Sequence, residues 1–81
     1  MCLAVPSKIV SINDLVATVD VLGARREINL MLLPDTVAVG DFVIVHAGFA
    51  IQRIERDAGN EALRLLKELV ESDAFKEEYL E

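Results

Sequence analysis

Over the first two thirds of the chain, apolar residues recur at every second position in short runs, and turn-forming residues separate the runs. Lys8-Ile9-Val10-Ser11-Ile12 ends at Asn13-Asp14, and Val16-Ala17-Thr18-Val19-Asp20-Val21 ends at Gly23-Ala24. β-Branched side chains at period two, bounded by Asn, Asp and Gly, predict antiparallel strands joined by tight turns. A third strand is expected where Ile28, Leu30 and Leu32 form a core face against the mixed face of Glu27, Asn29 and Met31, closing at Pro34-Asp35-Thr36. After Val39-Gly40-Asp41, the run Phe42-Val43-Ile44-Val45-His46 is apolar on both faces up to the histidine, as a buried strand requires. Ala47-Gly48-Phe49 interrupts it, with Gly48 suited to a bulge or a close backbone approach, and Ala50-Ile51-Gln52-Arg53-Ile54 resumes as a fifth strand.

From Asp57 the period changes. Ala62, Leu65, Leu66, Leu69 and Val70 fall at the i, i+3, i+4, i+7 and i+8 positions of one helical stripe, expected to face the core. Arg64/Glu68 and Lys67/Glu71 are i, i+4 pairs on its other side. Ser72-Asp73 can cap a further short helical piece that holds Phe75 and Tyr79. The expectation is a mainly β single domain over residues 1–81, with a five-stranded β-barrel over 1–55 and a C-terminal helical segment over 57–80. A chain of this size buries only about 60% of the surface its unfolded form exposes, which leaves little room for a deep catalytic cleft.

Composition narrows the function. Hydrophobic residues make up 53% of the chain, enough to fold without staples, and its single cysteine cannot form an internal disulfide, as suits a reducing compartment. No basic segment leads into an apolar one at the N-terminus, and no apolar run approaches the length of a bilayer, so a cytoplasmic location without membrane partners is expected. The formal net charge is −6, and residues 1–54 hold five acidic and four basic side chains against nine and four in residues 55–81. Phosphate backbones would be repelled, and an aromatic content of 5% leaves few platforms for base stacking. The alternative of a nucleic-acid-binding barrel of the oligonucleotide-binding type therefore lacks both of its usual attractions.

The reactive chemistry concentrates in two residues. Cys2 is the only cysteine and His46 the only histidine. Removal of Met1, which a small second side chain permits, would leave the Cys2 thiol beside a free α-amine at the tip of the protein. Thiolate is a nucleophile and a soft ligand for iron, copper(I) or zinc. A Cys/His hydrolase would need the nucleophile on a rigid element rather than on a terminus, so no catalytic residue is assigned. One thiolate and one imidazole also cannot close a tetrahedral structural metal site. Half a site suits a transient carrier whose remaining ligands come from elsewhere.

Two segments go beyond physical pattern. Met1-Cys2-Leu3-Ala4-Val5-Pro6 with Lys8-Ile9, and Gly40-Asp41-Phe42-Val43-Ile44-Val45-His46-Ala47-Gly48-Phe49-Ala50-Ile51, resemble the HypC/HupF family of [NiFe]-hydrogenase maturation chaperones. Ala17, Val19-Asp20, Gly23 and Arg26 also fall where that family tends to place them, while Phe42 stands where Trp or Tyr is common and Ala47 where Val is frequent. The resemblance implies an oligonucleotide-binding-fold-like barrel with a C-terminal helix, and a carrier rather than an enzyme. It implies shuttling between a HypD-like scaffold protein, on which iron is assembled as Fe(CN)2CO, and the precursor of the hydrogenase large subunit. Cys2 would then contact the iron transiently. His46 matches the histidine of the second motif and is left with three roles: ligating the iron, hydrogen-bonding the Cys2 thiolate, or supporting its loop.

Overall fold

The period-two runs form β1 (Pro6–Asn13), β2 (Val16–Val21), β3 (Ala24–Asn29), β4 (Phe42–His46) and β5 (Phe49–Ile54), and the stripe that follows forms α1 (Arg56–Glu71), in a computed structural model that describes residues 5–71. Two-residue turns join three of the strand pairs. The β2–β3 turn has φ of 52° at Leu22 and 95° at Gly23, and the β4–β5 turn 53° at Ala47 and 84° at Gly48. Positive φ at both central positions gives a turn whose twist matches that of the strands it joins, which is why a glycine stands second in each.

The strands close in the order β1-β2-β3-β5-β4, a five-stranded barrel followed by a helix, as expected. β1 is long enough to serve two neighbours. Its residues Lys8 to Asn13 pair with Asp20 to Val16 of β2, and Pro6 to Lys8 pair with Ile44 to Phe42 of β4. The register slips between Ile9 and Ser11, a bulge that bends the strand from one partner toward the other. The Ile9 N–H donates to the Asp41 carbonyl at 2.9 Å, and the Ile9 carbonyl accepts from the Gly40 N–H at 2.9 Å.

Alternation sends Ile9, Ala17, Val19, Ile28, Val43, Val45 and Ala50 into the barrel, where Leu30 joins them. Leu33 and Val37, from the long β3–β4 connection, pack against this cluster together with Ile12. Phe42 belongs to a different layer. It is buried on the outer face of β4, beneath the first turn of α1, where a Cβ built on Gly59 would meet its ring, with the Cδ atoms only 2.6 and 2.7 Å away. The apolar character of both faces of β4 is thus accounted for: Val43 and Val45 line the barrel, and Phe42 anchors the helix.

The helix stripe differs from its expected face. Leu65 and Leu69 are 53% and 54% exposed, while Ala62, Leu66 and Val70 are half-buried and Leu63 joins them. The reason is Gly59, the one buried residue of α1, which an apolar count passes over. The seam runs Gly59, Leu63, Leu66, Val70, set by where backbone can touch the Phe42 ring rather than by the densest apolar stripe. Farther along, Lys67, Val70 and Glu71 line a cavity of about 290 Å³ together with Leu22 of the β2–β3 turn. Arg64 bridges Glu61 and Glu68, whereas Lys67 and Glu71 form no such bridge. The short helical piece expected around Phe75 and Tyr79 lies outside the described residues.

Two further differences are local. β3 ends at Asn29, whose side-chain Oδ1 accepts the Met31 N–H at 2.6 Å, so Leu32 leaves the sheet and is 59% exposed instead of continuing the core face. Such side chain to backbone bonds offer the chain an alternative to the ladder. The bulge expected near Gly48 falls instead at Ile51, between the pairs Val45↔Ala50 and Ile44↔Gln52. No helix of the described residues is long and apolar enough to cross a membrane.

Asp41 ties the helix start to the loop before β4. Its Oδ2 accepts from the Ala38 N–H and its Oδ1 from Arg56 Nε, both at 2.9 Å, with the carboxylate side chain only 13% exposed. The Ala38 N–H first, and Arg56 second, hold its carboxyl below the usual carboxylate range. A depressed pKa contributes stability that is fully present above the unfolded value of about 3.9 and is lost as pH falls through the folded value. Asp20, lowered by the Gly23 N–H and then by Arg25, acts in the same direction. Urea midpoints should therefore be flat from neutral pH down to about 5 and fall below about 4. The acid-side fall should be smaller in Asp41→Asn, which is already weaker at pH 7.

Gly59→Ala should destabilise the protein by about 1–3 kcal/mol through overpacking, although alanine is the better helix former by about 1 kcal/mol. A double-mutant cycle with Phe42→Leu checks the cause, since the cost of the alanine should shrink when the ring is gone.

Candidate functional site

His46 is the last residue of β4, paired with Phe49 across the Ala47-Gly48 turn, and its side chain is exposed. It shares the outer face of β4 with Phe42 and Ile44, and burial fades along that face: Phe42 is covered by α1, Ile44 is half-buried and His46 is open. The imidazole is therefore not a satisfied core group. It offers one donor and one acceptor in its neutral form, to whatever approaches this end of the barrel.

Cys2 lies outside the described residues. The strand that follows it nevertheless fixes a limit. Pro6 pairs with Ile44, so β1 begins at the end of β4 that carries His46. Cys2 precedes Pro6 by four residues, a contour of at most about 14 Å, and His46 follows Ile44 by two, about 7 Å. Chain length thus allows the two candidate residues to meet.

Hydrogen bonds tie other segments to the same turn. The Asn29 N–H donates to the Gly48 carbonyl at 2.8 Å, and the next residue, Leu30, donates its N–H to the Leu15 carbonyl at 2.7 Å. This aligns the β4–β5 turn, the end of β3 and the β1–β2 turn along one rim. Apolar side chains stand out from it: Leu15 is 55% exposed and Met31 and Leu32 each 59%. The sequence concealed this rim because alternation assigned Leu32 to the core. The legible signal was the run Leu30-Met31-Leu32-Leu33, more apolar residues than one face of a strand can bury. Among the described residues no group of three or more His, Cys, Asp or Glu side chains gathers as a metal site would require.

Comparison with known proteins gives this end of the barrel a context. The profile of the HupF/HypC family matches residues 1–66, a span that takes in both Cys2 and His46. The chain belongs to the HupF/HypC family. It is 44% identical to the hydrogenase maturation factor HypC of Helicobacter hepaticus over 73 residues, 89% of this chain and 85% of that one. It is 46% identical over 70 residues to the protein of the same name from Cupriavidus necator, covering 85% and 77% of the two chains. A similar protein of Azotobacter chroococcum, again a hydrogenase maturation factor HypC, is 43% identical over 70 residues, covering 85% and 82%. The family match takes in the whole barrel and α1 through Leu66, and thus includes the Phe42–Gly59 contact and the Asp41–Arg56 pair.

Because the imidazole is exposed and contributes no core contact, His46→Ala should change stability by no more than about 0.5 kcal/mol. Urea unfolding of wild type and variant checks this; a loss of several times that size would mean the ring is held by packing.

Proposed function

We propose that this protein is a hydrogenase maturation factor, a carrier rather than an enzyme, whose Cys2 thiolate holds iron as Fe(CN)2CO between a HypD-like scaffold protein and the precursor of a [NiFe]-hydrogenase large subunit. The observation that carries this reading is the family match over residues 1–66, which spans Cys2, His46 and the whole barrel between them. The relatives' shared name, hydrogenase maturation factor HypC, supports the same class of work.

The chemistry suits the residues. Cyanide and carbon monoxide favour low-spin Fe(II), and a thiolate is a soft donor to it. Delivery then exchanges one iron–thiolate bond for another: the bond to Cys Sγ of this chain breaks as a thiolate of the recipient binds, with no change of oxidation state, and the released Cys2 thiolate takes up a proton. A carrier must bind without retaining. A single thiolate, without a cage of further ligands from this chain, meets that requirement better than a closed four-ligand site. His46, exposed at the end of β4, is open to the cargo or to the thiolate, and the exposed apolar rim of Leu15, Met31 and Leu32 offers contact area for the proteins between which the cargo passes.

Cys2→Ala separates fold from function. Its urea midpoint should match wild type, while the iron recovered with the chain and its partners from cells, and the hydrogenase activity matured in those cells, should both fall to background. Normal maturation by this variant would sink the proposal.

A further inference from the structure

β3 is paired on one side only. Toward β2 it is matched along its whole length, from Val21↔Ala24 to Val16↔Asn29. Toward β5 the barrel closes through a single residue pair, Asn29↔Phe49. Among the described residues, the edge from Ala24 to Ile28 has no strand beside it. A row of unpaired N–H and C=O groups is a template for another extended chain.

The face beside that edge is not neutral. Residues directly opposite each other in a ladder share a face, so the pair Val19↔Arg26 places Arg26 on the side that sends Val19 and Ile28 into the core. There Val19, Val21, Ala24, Arg25 and Arg26 line a cavity of about 250 Å³. The two arginines differ. Arg25 is engaged, its Nε donating to Asp20 Oδ2 at 3.0 Å, whereas Arg26 makes no ion pair among the described residues. An open edge, a small apolar cavity and an uncommitted guanidinium thus lie side by side.

Charge decides what fits. A second copy fits badly: an antiparallel pairing of two β3 edges centred on Arg26 sets Arg26 against Arg26, and an in-register parallel pairing stacks each charge on its like, both unfavourable. An acidic strand meets the cation instead. We propose that the free edge of β3 captures an extended acidic segment of a partner protein by strand addition, with a carboxylate against Arg26 and a small aliphatic side chain, two residues along, in the cavity of Val19, Val21 and Ala24. The edge begins next to Asn29, whose partner Phe49 is also the cross-strand neighbour of His46, so a captured strand leads toward the His46 end of the barrel. The site uses neither Cys2 nor His46 and stands apart from the iron-carrier reading.

The test uses the full-length, nitrogen-15-labelled protein and an eight-residue peptide that repeats Val-Val-Glu-Glu, so that each face of the extended strand carries glutamate and valine two residues apart, with its valine and lysine counterpart as control. The acidic peptide should shift the amide signals of Ala24 to Ile28 and slow their hydrogen exchange, and the lysine peptide should do neither. Arg26→Glu should weaken the acidic peptide by about tenfold or more, the size of one charge-assisted hydrogen bond, and gain affinity for the lysine peptide. Unchanged amide signals for Ile9 and Val43 establish that the variant is folded; if it is not, Arg26→Gln should show the same weakening. The proposal is overturned by equal binding to wild type and variant, by shifts confined to α1 or the His46 turn, or by no binding of the acidic peptide. Protection of the β3 edge that rises with protein concentration alone would also overturn it, assigning the edge to a second copy.

Discussion

The ring of Phe42 fills the space that any side chain at residue 59 would need, and that contact apportions the apolar residues of the whole molecule. A barrel this small cannot bury a strand on both faces by itself, since its interior takes only one face of each strand. β4 presents Val43 and Val45 inward, so Phe42 needs a cover from outside, and α1 provides it by bringing backbone rather than a side chain to the ring. The Arg56–Asp41 pair fixes the helix start one turn earlier, and Asp41 in turn folds the loop before β4 through the Ala38 N–H. Helix, loop and barrel are joined at one corner.

Much of this was legible from residue pattern, and what was not has identifiable causes. β2 and β4 were read to the residue, β2 because period-two alternation ran unbroken and β4 because a run apolar on both faces lay between turn residues. β1 proved longer because Pro6 opens a strand, where its missing N–H costs nothing, and β3 lies three residues earlier than read because the turn ends at Gly23 and Asn29 caps the chain locally. The helix was found from its period, but its inward face was misread, since the contact that orients it is made by a glycine and hydropathy gives no weight to an absent side chain. The charge on Arg26 was visible, yet whether it was paired was not, because ion pairing depends on which residues the turn at Leu22-Gly23 brings across from it. The Cys2 and His46 chemistry rested on uniqueness and resemblance. The structure adds that the imidazole is exposed and that β1 starts beside it.

The division of labour in the fold follows from where the burial ends. Along the outer face of β4, coverage drops from Phe42 through Ile44 to His46, so one strand runs from a fully buried position to an open end. Residues at that end are held by backbone hydrogen bonds between turns, Asn29 to Gly48 and Leu30 to Leu15, more than by packing. Such an arrangement leaves side chains free to engage partners while the main chain beneath them keeps its shape.

The doubly paired β1 also sets an order of assembly. The β1–β2, β2–β3 and β4–β5 hairpins each join neighbours in sequence through short turns, so their contacts are local and form on the microsecond scale. Closing the ring requires Pro6 to find Ile44 and Asn29 to find Phe49, both across the long β3–β4 connection, and the entropy of that loop must be met before either contact rewards it. The start of β1 is thus among the last parts of the barrel to be fastened, although it is made before the strand that holds it. During synthesis Pro6 waits for Ile44, and the ring stays open until β4 and β5 have both been made.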